Sequence, residues 1–84
     1  MRLRQAGLTW HVAGDEVVVL DLEGSVYLKL NGSGRVLWER LAASSTEPEL
    51  IAALVGEFEI DVERATADVA AFVADLNHRN LLET

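Results

Sequence analysis

Residues 15–41 read DEVVVLDLEGSVYLKLNGSGRVLWERL, and this stretch decides the fold. Two apolar runs, Glu16–Asp21 and Ser25–Leu30, are joined by a short turn around Glu23-Gly24. Short runs of aliphatic and β-branched residues bounded by turn residues predict strands. The sequence therefore predicts a β-hairpin that is followed at once by a helix over Gly32–Ala43.

The register of this hairpin follows from its apolar pattern. We predict a three-residue loop, residues 22–24, with Gly24 in the left-handed conformation, because this pairing gathers apolar side chains on one face. Asp21 then faces Ser25. The predicted inner face contains Val18, Leu20, Val26, Leu28 and Leu30, and the opposite face Val17, Val19, Tyr27 and Lys29.

The rest of the chain adds one strand and two helices. Residues 8–12 alternate apolar and polar side chains and predict a first strand. The capping box Thr46-Glu47-Pro48-Glu49 starts a second helix, and Asp61 caps a third that runs from Val62 to about Arg79. Its apolar stripe is Val62, Ala65, Val69, Phe72, Val73 and Leu76, and Asn80 suits a left-handed stop. We predict a single α+β, winged-helix-like domain over residues 1–84, with a three-stranded antiparallel sheet, three helices and a loose start at residues 1–7.

The composition excludes several classes of function. Fourteen acidic and seven basic side chains give a formal charge of −7, which disfavours nucleic-acid binding because such binding depends on neutralising phosphates. The chain contains no Cys, so neither a disulfide framework nor thiolate catalysis is available. No apolar run approaches the ~18 residues of a membrane span. We therefore expect a soluble, cytoplasmic protein that binds neither nucleic acid nor membrane.

No group of residues has the pattern of an active site. The acidic residues cluster at hairpin ends and helix starts, where they solvate turns and complement the helix dipole. His11 and His78 lack the spacing of metal ligands. Residues 31–34, NGSG, lack the Lys and glycine spacing of a phosphate loop and are better explained as a helix start. We expect no enzyme activity, no metal and no cofactor.

The strand Ser25–Leu30 is the best candidate for a binding surface. It contains no Pro and one charge, so at a sheet edge it would offer unpaired backbone groups to an extended peptide. Asp68, Phe72 and Asp75 share one side of the third helix. If that helix packs beside the strand, the two elements form a groove. The candidate residues are Val26, Tyr27, Leu28, Lys29, Leu30, Asp68, Val69, Phe72, Asp75 and Leu76.

The candidate residues differ in their expected roles. Asp68 and Asp75 would meet Lys or Arg of the peptide, whereas buried apolar anchors would dominate the affinity. Burial preference favours the alternative that Val69 and Leu76 are simply core residues. The argument for a site therefore depends on the open strand edge and not on any one side chain.

Residues 27–41, YLKLNGSGRVLWERL, resemble the PqqD family, also called precursor recognition elements of ribosomally made peptides. The family pattern is an apolar strand, Leu-Asn, small residues, an aliphatic-Trp pair and a Leu. Residues 49–54, the helix entry at 60–62 and the terminal Leu81-Leu82 also fit, and Asn80 stands where the family often has Gly. The resemblance extends over nearly all of the chain from Leu8.

This resemblance implies a function. Family members bind the leader segment of a precursor peptide, which adds as a strand beside the third strand and packs on the third helix. As a short chain, this sequence is most similar to the leader-binding subunit of lasso-peptide systems, where a transglutaminase-like cysteine protease removes the leader and a cyclase closes the ring. Members of the pyrroloquinoline-quinone pathway and of radical-SAM peptide systems are similar as well. The alternatives are a winged-helix transcription regulator, which needs a basic recognition face, and a homodimer that pairs its own strand edges.

Overall fold

The computed structural model describes residues 1–83, and five strands account for its β structure. They are β1 Arg2–Leu3, β2 Leu8–Ala13, β3 Glu16–Asp21, β4 Val26–Leu30 and β5 Leu82–Glu83. The central sheet is antiparallel, with the order β2-β3-β4, so its strands follow one another as two hairpins. A separate ribbon joins β1 to β5.

Three helices follow the central sheet: α1 Gly32–Ala42, α2 Glu47–Phe58 and α3 Val62–His78. Together with the sheet they confirm the predicted α+β class and element order. The capping box at α2 is present, because the Glu49 N–H donates to Thr46 Oγ1 at 3.3 Å and the Thr46 N–H donates to Glu49 Oε1 at 2.8 Å. At α3, Asp61 Oδ1 accepts the N–H of Arg64 at 2.7 Å. Both predicted helix starts are therefore confirmed.

The turn between β3 and β4 has four residues, 22–25, and not the predicted three. Asp21 pairs with Val26, and Ser25 takes the left-handed conformation, at φ 55°, in place of Gly24. The cause is the Asp21 carboxylate, which accepts the N–H of Glu23 at 3.1 Å. It also lies over Gly24, where a Cβ would stand 2.7 Å from Asp21 Oδ2. An aspartate side chain that accepts hydrogen bonds from the backbone of the following turn can fix the turn conformation without a glycine in the left-handed region.

This register reverses the predicted faces of β3. A shift of one residue in strand pairing moves every side chain to the other face. Val17 and Val19 are completely buried, whereas Leu20 is 39% exposed. The inner face therefore consists of Val17, Val19, Val26, Leu28 and Leu30, and the outer face of Val18, Leu20, Tyr27 and Lys29.

Trp38 of α1 lies in the centre of the core. Its side chain is completely buried and meets Trp10 of β2 edge to face, with the ring centroids 5.6 Å apart. The apolar stripe of α3 is confirmed except at its first residue, because Val62 is 60% exposed at the helix start. The other buried aliphatic residues of the three helices include Leu37, Leu41, Leu50, Leu54, Val69, Val73 and Leu76.

The first residues of the chain are held against the domain, although we expected a loose segment. Arg2 and Leu3 pair with Glu83 and Leu82 of β5, and Leu3 is 1% exposed. After α3 the chain turns back toward β1 because Asn80 has the predicted left-handed conformation, at φ 59°. A two-residue strand is too short to show any periodicity in a sequence.

Arg4 joins this terminal ribbon to the central sheet. Its guanidinium forms an ion pair with the buried carboxylate of Asp21 and donates to the Asn80 carbonyl at 2.8 Å. The hydrogen bond from Arg4 holds the pKa of Asp21 below its ordinary value, opposed by burial and supported by the N–H groups of Gly24 and Glu23. The charged pair therefore fixes the end of β3 from which the turn to β4 starts.

Candidate functional site

β4 is an edge strand. It pairs with β3 along one side, and no other strand within residues 1–83 pairs with its second side. The open edge predicted from the sequence is thus confirmed. The backbone groups of such an edge can pair with an extended chain that approaches from outside.

Three elements meet beside this edge at Gly34, in the first turn of α1. The position that a Cβ of residue 34 would occupy lies 3.5 Å from Leu30 Cδ2 and 3.8 Å from Phe72 Cε1. Leu28 lies on the same face of β4 as Leu30, and both are half-buried against the core, as is Phe72 of α3. We call Leu28, Leu30, Gly34 and Phe72 the edge site.

Two of the predicted site residues belong to the core. Val69 and Leu76 are each 1% exposed, which leaves almost no surface of either side chain for a ligand to cover. Burial preference already favoured this placement. Both residues lie about one turn from Phe72 on α3, and Phe72 packs against the core to which they belong.

Asp68 and Asp75 already have cationic partners on α3. The carboxylate of Asp68 lies 3.6 Å from the guanidinium of Arg64, and that of Asp75 lies 3.1 Å from that of Arg79. Exposed pairs at this spacing contribute about 0.3–0.5 kcal/mol each. With each carboxylate beside an arginine, this side of α3 is balanced in charge and attracts a cationic peptide only weakly.

The five predicted residues of β4 divide between two faces. Val26 is half-buried and lies on the inner face with the two leucines of the edge site. Tyr27 and Lys29 point outward, where Tyr27 is 61% exposed and pairs with Leu20 across the strands. The Lys29 ammonium lies 3.6 Å from the Glu16 carboxylate. A ligand beside β4 would thus meet apolar groups on one face and a tyrosine with a paired lysine on the other.

Gly34 belongs to the edge site but was not among the predicted residues, because we interpreted it only as part of a helix start. A glycine inside a helix costs about 0.5–1 kcal/mol relative to alanine. The φ angle of Gly34 lies outside the left-handed region, so the backbone conformation does not require glycine. The contacts of the added Cβ with Leu30 and Phe72 suit a packing reason instead, and since this reason is visible only in the structure, the sequence alone did not single out Gly34.

The structure shows neither an enclosed cavity nor a metal-binding cluster among the described residues. Residues 1–83 enclose no cavity, and within this range no three His, Asp or Glu side chains are grouped so that they could hold a metal ion. No helix in the described part of the chain has the length and apolar character needed to cross a membrane.

Comparisons with known proteins agree with this geometry. Residues 16–82 match the family described as coenzyme PQQ synthesis protein D (PqqD). A structure described as TbiB1 in complex with the TbiA(beta) leader peptide is 26% identical, with a TM-score of 0.89 over 99% of this chain and 95% of that one. A lasso peptide synthetase B1 complexed with the leader peptide is 24% identical, with a TM-score of 0.84 over 99% and 96%, and supports the fold alone. No curated protein sequence gives a significant match. Since the family match extends from β3 into β5, over most of the sequence, the chain belongs to the PqqD family.

Proposed function

We propose that this chain is a non-catalytic adaptor that binds the leader segment of a ribosomally synthesised precursor peptide. The leader adds as a further strand beside β4, next to α3, and the bound precursor is presented to a processing enzyme. The observation that carries this proposal is the open edge of β4 beside the half-buried apolar edge site.

In strand addition, backbone hydrogen bonds contribute affinity, and contacts of alternate side chains contribute selectivity. Backbone hydrogen bonds along the five residues of β4 align the leader, and each contributes about 0.5–1.5 kcal/mol net. Alternate side chains of the leader then point to the edge site, where covering apolar surface contributes roughly 25 cal/mol per Å². Leu28, Leu30 and Phe72 are the proposed apolar contacts. Asp68, Asp75 and Lys29 contribute little, because each already has a partner within the chain.

Two findings support a leader as the ligand in place of DNA or a second copy of the chain. The chain belongs to the PqqD family, and the 26% identical TbiB1 structure is a complex with a leader peptide. The charge of −7 and the balanced side of α3 give no basic face for phosphates. We propose a lasso-peptide pathway in the cytoplasm, where ribosomes release the precursor. Its further partners would be a transglutaminase-like leader peptidase and a cyclase.

The test measures the affinity of the protein for a leader peptide and identifies the residues that the bound leader covers. Fluorescein-labelled leaders, one from the precursor encoded beside the gene for this chain and one the TbiA(beta) leader, are titrated with the protein in fluorescence anisotropy. Hydrogen exchange is then followed by mass spectrometry with and without the bound leader. We expect saturable binding, with new protection concentrated in residues 26–30. Scrambled leaders of the same composition are the control.

Three results would contradict the proposal. The first is equal binding of native and scrambled leaders, and the second is protection that spares β4. The third is a dimer whose size is unchanged by excess leader, since that would assign the β4 edge to a second copy of the chain. Sedimentation with and without leader measures this last outcome.

A further inference from the structure

We propose that Arg4 is a positioning residue for leader binding, which acts on the leader only through the turn into β4. Arg4 lies in the segment between β1 and β2, and its guanidinium reaches Asp21 at the end of β3. This inference rests on the proposed function and deepens it. It names a contact outside the edge site that controls how well β4 receives a guest strand.

The guanidinium of Arg4 joins three separate parts of the chain. Its Nε donates to the Ala6 carbonyl at 2.9 Å, and one terminal nitrogen donates to the Asn80 carbonyl at 2.8 Å. The other terminal nitrogen pairs with the carboxylate of Asp21, whose side chain is 2% exposed. The donors of a guanidinium lie in one rigid plane. With all three nitrogens engaged, this side chain fixes where the Asp21 carboxylate lies.

The turn between β3 and β4 rests on the same N-terminal segment. Asp21 Oδ1 accepts the N–H of Glu23 at 3.1 Å, and the N–H of Leu22 donates to the Gly7 carbonyl at 2.8 Å. The Glu23 side chain lies over Gly7, where a Cβ would stand 2.6 Å from Glu23 Oε2. β4 then begins at Val26, directly opposite Asp21. The contacts that start at Arg4 therefore determine where β4 starts.

The position of β4 bears directly on its affinity for a leader. A guest strand pairs with the backbone of β4, so the measured Kd rises as the fraction of molecules with β4 correctly placed falls. Without Arg4, the buried Asp21 carboxylate lacks its cationic partner, and an unpaired buried charge favours opening of the turn to water. Loosening then starts at Val26. The Leu30 end stays in place because it continues into α1.

The experiment compares Arg4→Met with two control variants. Arg2→Met removes the exposed arginine of the same ribbon, which lies 3.5 Å from Glu83, and Thr46→Ala removes the remote cap of α2. Each folded variant is titrated with the two labelled leaders defined above. We expect Kd to rise about tenfold for Arg4→Met, the change in population that loss of a hydrogen bond to a charged group produces. Both controls should stay within about twofold of the wild-type protein.

Two measurements separate local positioning from a loss of overall stability. In leader-free Arg4→Met, hydrogen exchange should accelerate in residues 22–27 and stay unchanged in α2. Leaders shortened from either end locate the effect along the strand. Removal of the leader residues that pair with Val26 should abolish the difference in Kd between Arg4→Met and wild-type protein, and shortening at the Leu30 end should preserve it.

The Asp21 side chain gives an independent check. Asp21→Asn removes the ion pair and keeps an oxygen that can accept the Glu23 N–H. It should weaken leader binding, and the double variant with Arg4→Met should bind no more weakly than Arg4→Met alone, because residues that act as one unit are not additive. Multiplied losses would contradict the proposal. Arg4→Lys, which keeps the charge without the planar set of donors, should weaken binding less and replaces Arg4→Met if that variant does not fold.

The outcomes distinguish this inference from the proposed function. If wild-type protein binds a leader at β4 and folded Arg4→Met binds it equally well, the positioning role is wrong and the adaptor function stands. Faster exchange throughout α2, or an equal loss of affinity in Thr46→Ala, also overturns the role because either result assigns the effect to overall stability. If neither leader binds the wild-type protein, the adaptor function fails, and the role of Arg4 in leader binding fails with it.

Discussion

Phe72→Ala separates a binding role from a packing role on α3. Deleting a fully buried Phe side chain costs about 3–5 kcal/mol, and Phe72, which is mostly buried, should cost somewhat less, roughly 2–4 kcal/mol. A domain with roughly 5–10 kcal/mol of stability stays folded after such a loss. Covering the exposed part of this side chain, at most roughly 70 Å², is worth at most about 1.7 kcal/mol, so removing the ring should raise the leader Kd by up to about twentyfold.

Leu76→Ala is the matched control because Leu76 lies on the same helix and is 1% exposed. Its removal should cost about 2–5 kcal/mol of stability and change the Kd of the folded protein by less than about threefold. Urea denaturation measures the stability and fluorescence anisotropy the affinity. The reasoning is refuted if Phe72→Ala keeps the wild-type Kd, or if Leu76→Ala weakens binding as strongly under conditions in which it is folded.

Three further predictions concern stability. The Arg4 hydrogen bond lowers the pKa of Asp21 in the folded state; the stability from this pair is therefore complete above the ordinary aspartate pKa and is lost as pH falls below it. In urea midpoints measured against pH, Arg4→Met should flatten this acid dependence, and an unchanged slope would contradict the assignment. Thr46→Ala removes the capping box of α2 and should cost about 0.5–2 kcal/mol in urea denaturation; no loss would mean that the cap is not formed in solution. Leu3→Ala should cost about 2–5 kcal/mol because Leu3 is buried, whereas the exposed Arg2→Ala should stay within about 0.5 kcal/mol. Equal effects of these last two changes would indicate a loose N-terminal segment.

Local chemistry explains why the element order was predictable. Thr46 and Asp61 start α2 and α3 with side-chain hydrogen bonds to backbone N–H groups three residues ahead. Such signals act over one helical turn and are readable without knowledge of the fold. The open edge of β4 was predictable for a similar reason, since the strands follow one another as hairpins and the last one has no later partner in the sheet.

The register and the N-terminal ribbon depended on a contact between distant residues. Arg4 forms its ion pair with Asp21, 17 positions along the chain, and the same carboxylate organises the turn into β4. No periodic pattern within the hairpin reports that ion pair, so an aspartate that looked like a solvated strand end is in fact buried. The one-residue error in the loop followed from this, and it exchanged the two faces of β3.

Helical spacing predicts only part of the candidate site. The spacing of Asp68, Phe72 and Asp75 correctly places them along one side of α3, but spacing alone does not reveal that Arg64 and Arg79 already partner the two carboxylates. Because those charges are already paired, the proposed leader binding assigns affinity to the apolar edge site and the backbone of β4. Backbone pairing is indifferent to the leader's sequence, so the proposal assigns selectivity to the side-chain contacts beside β4 and not to the two aspartates.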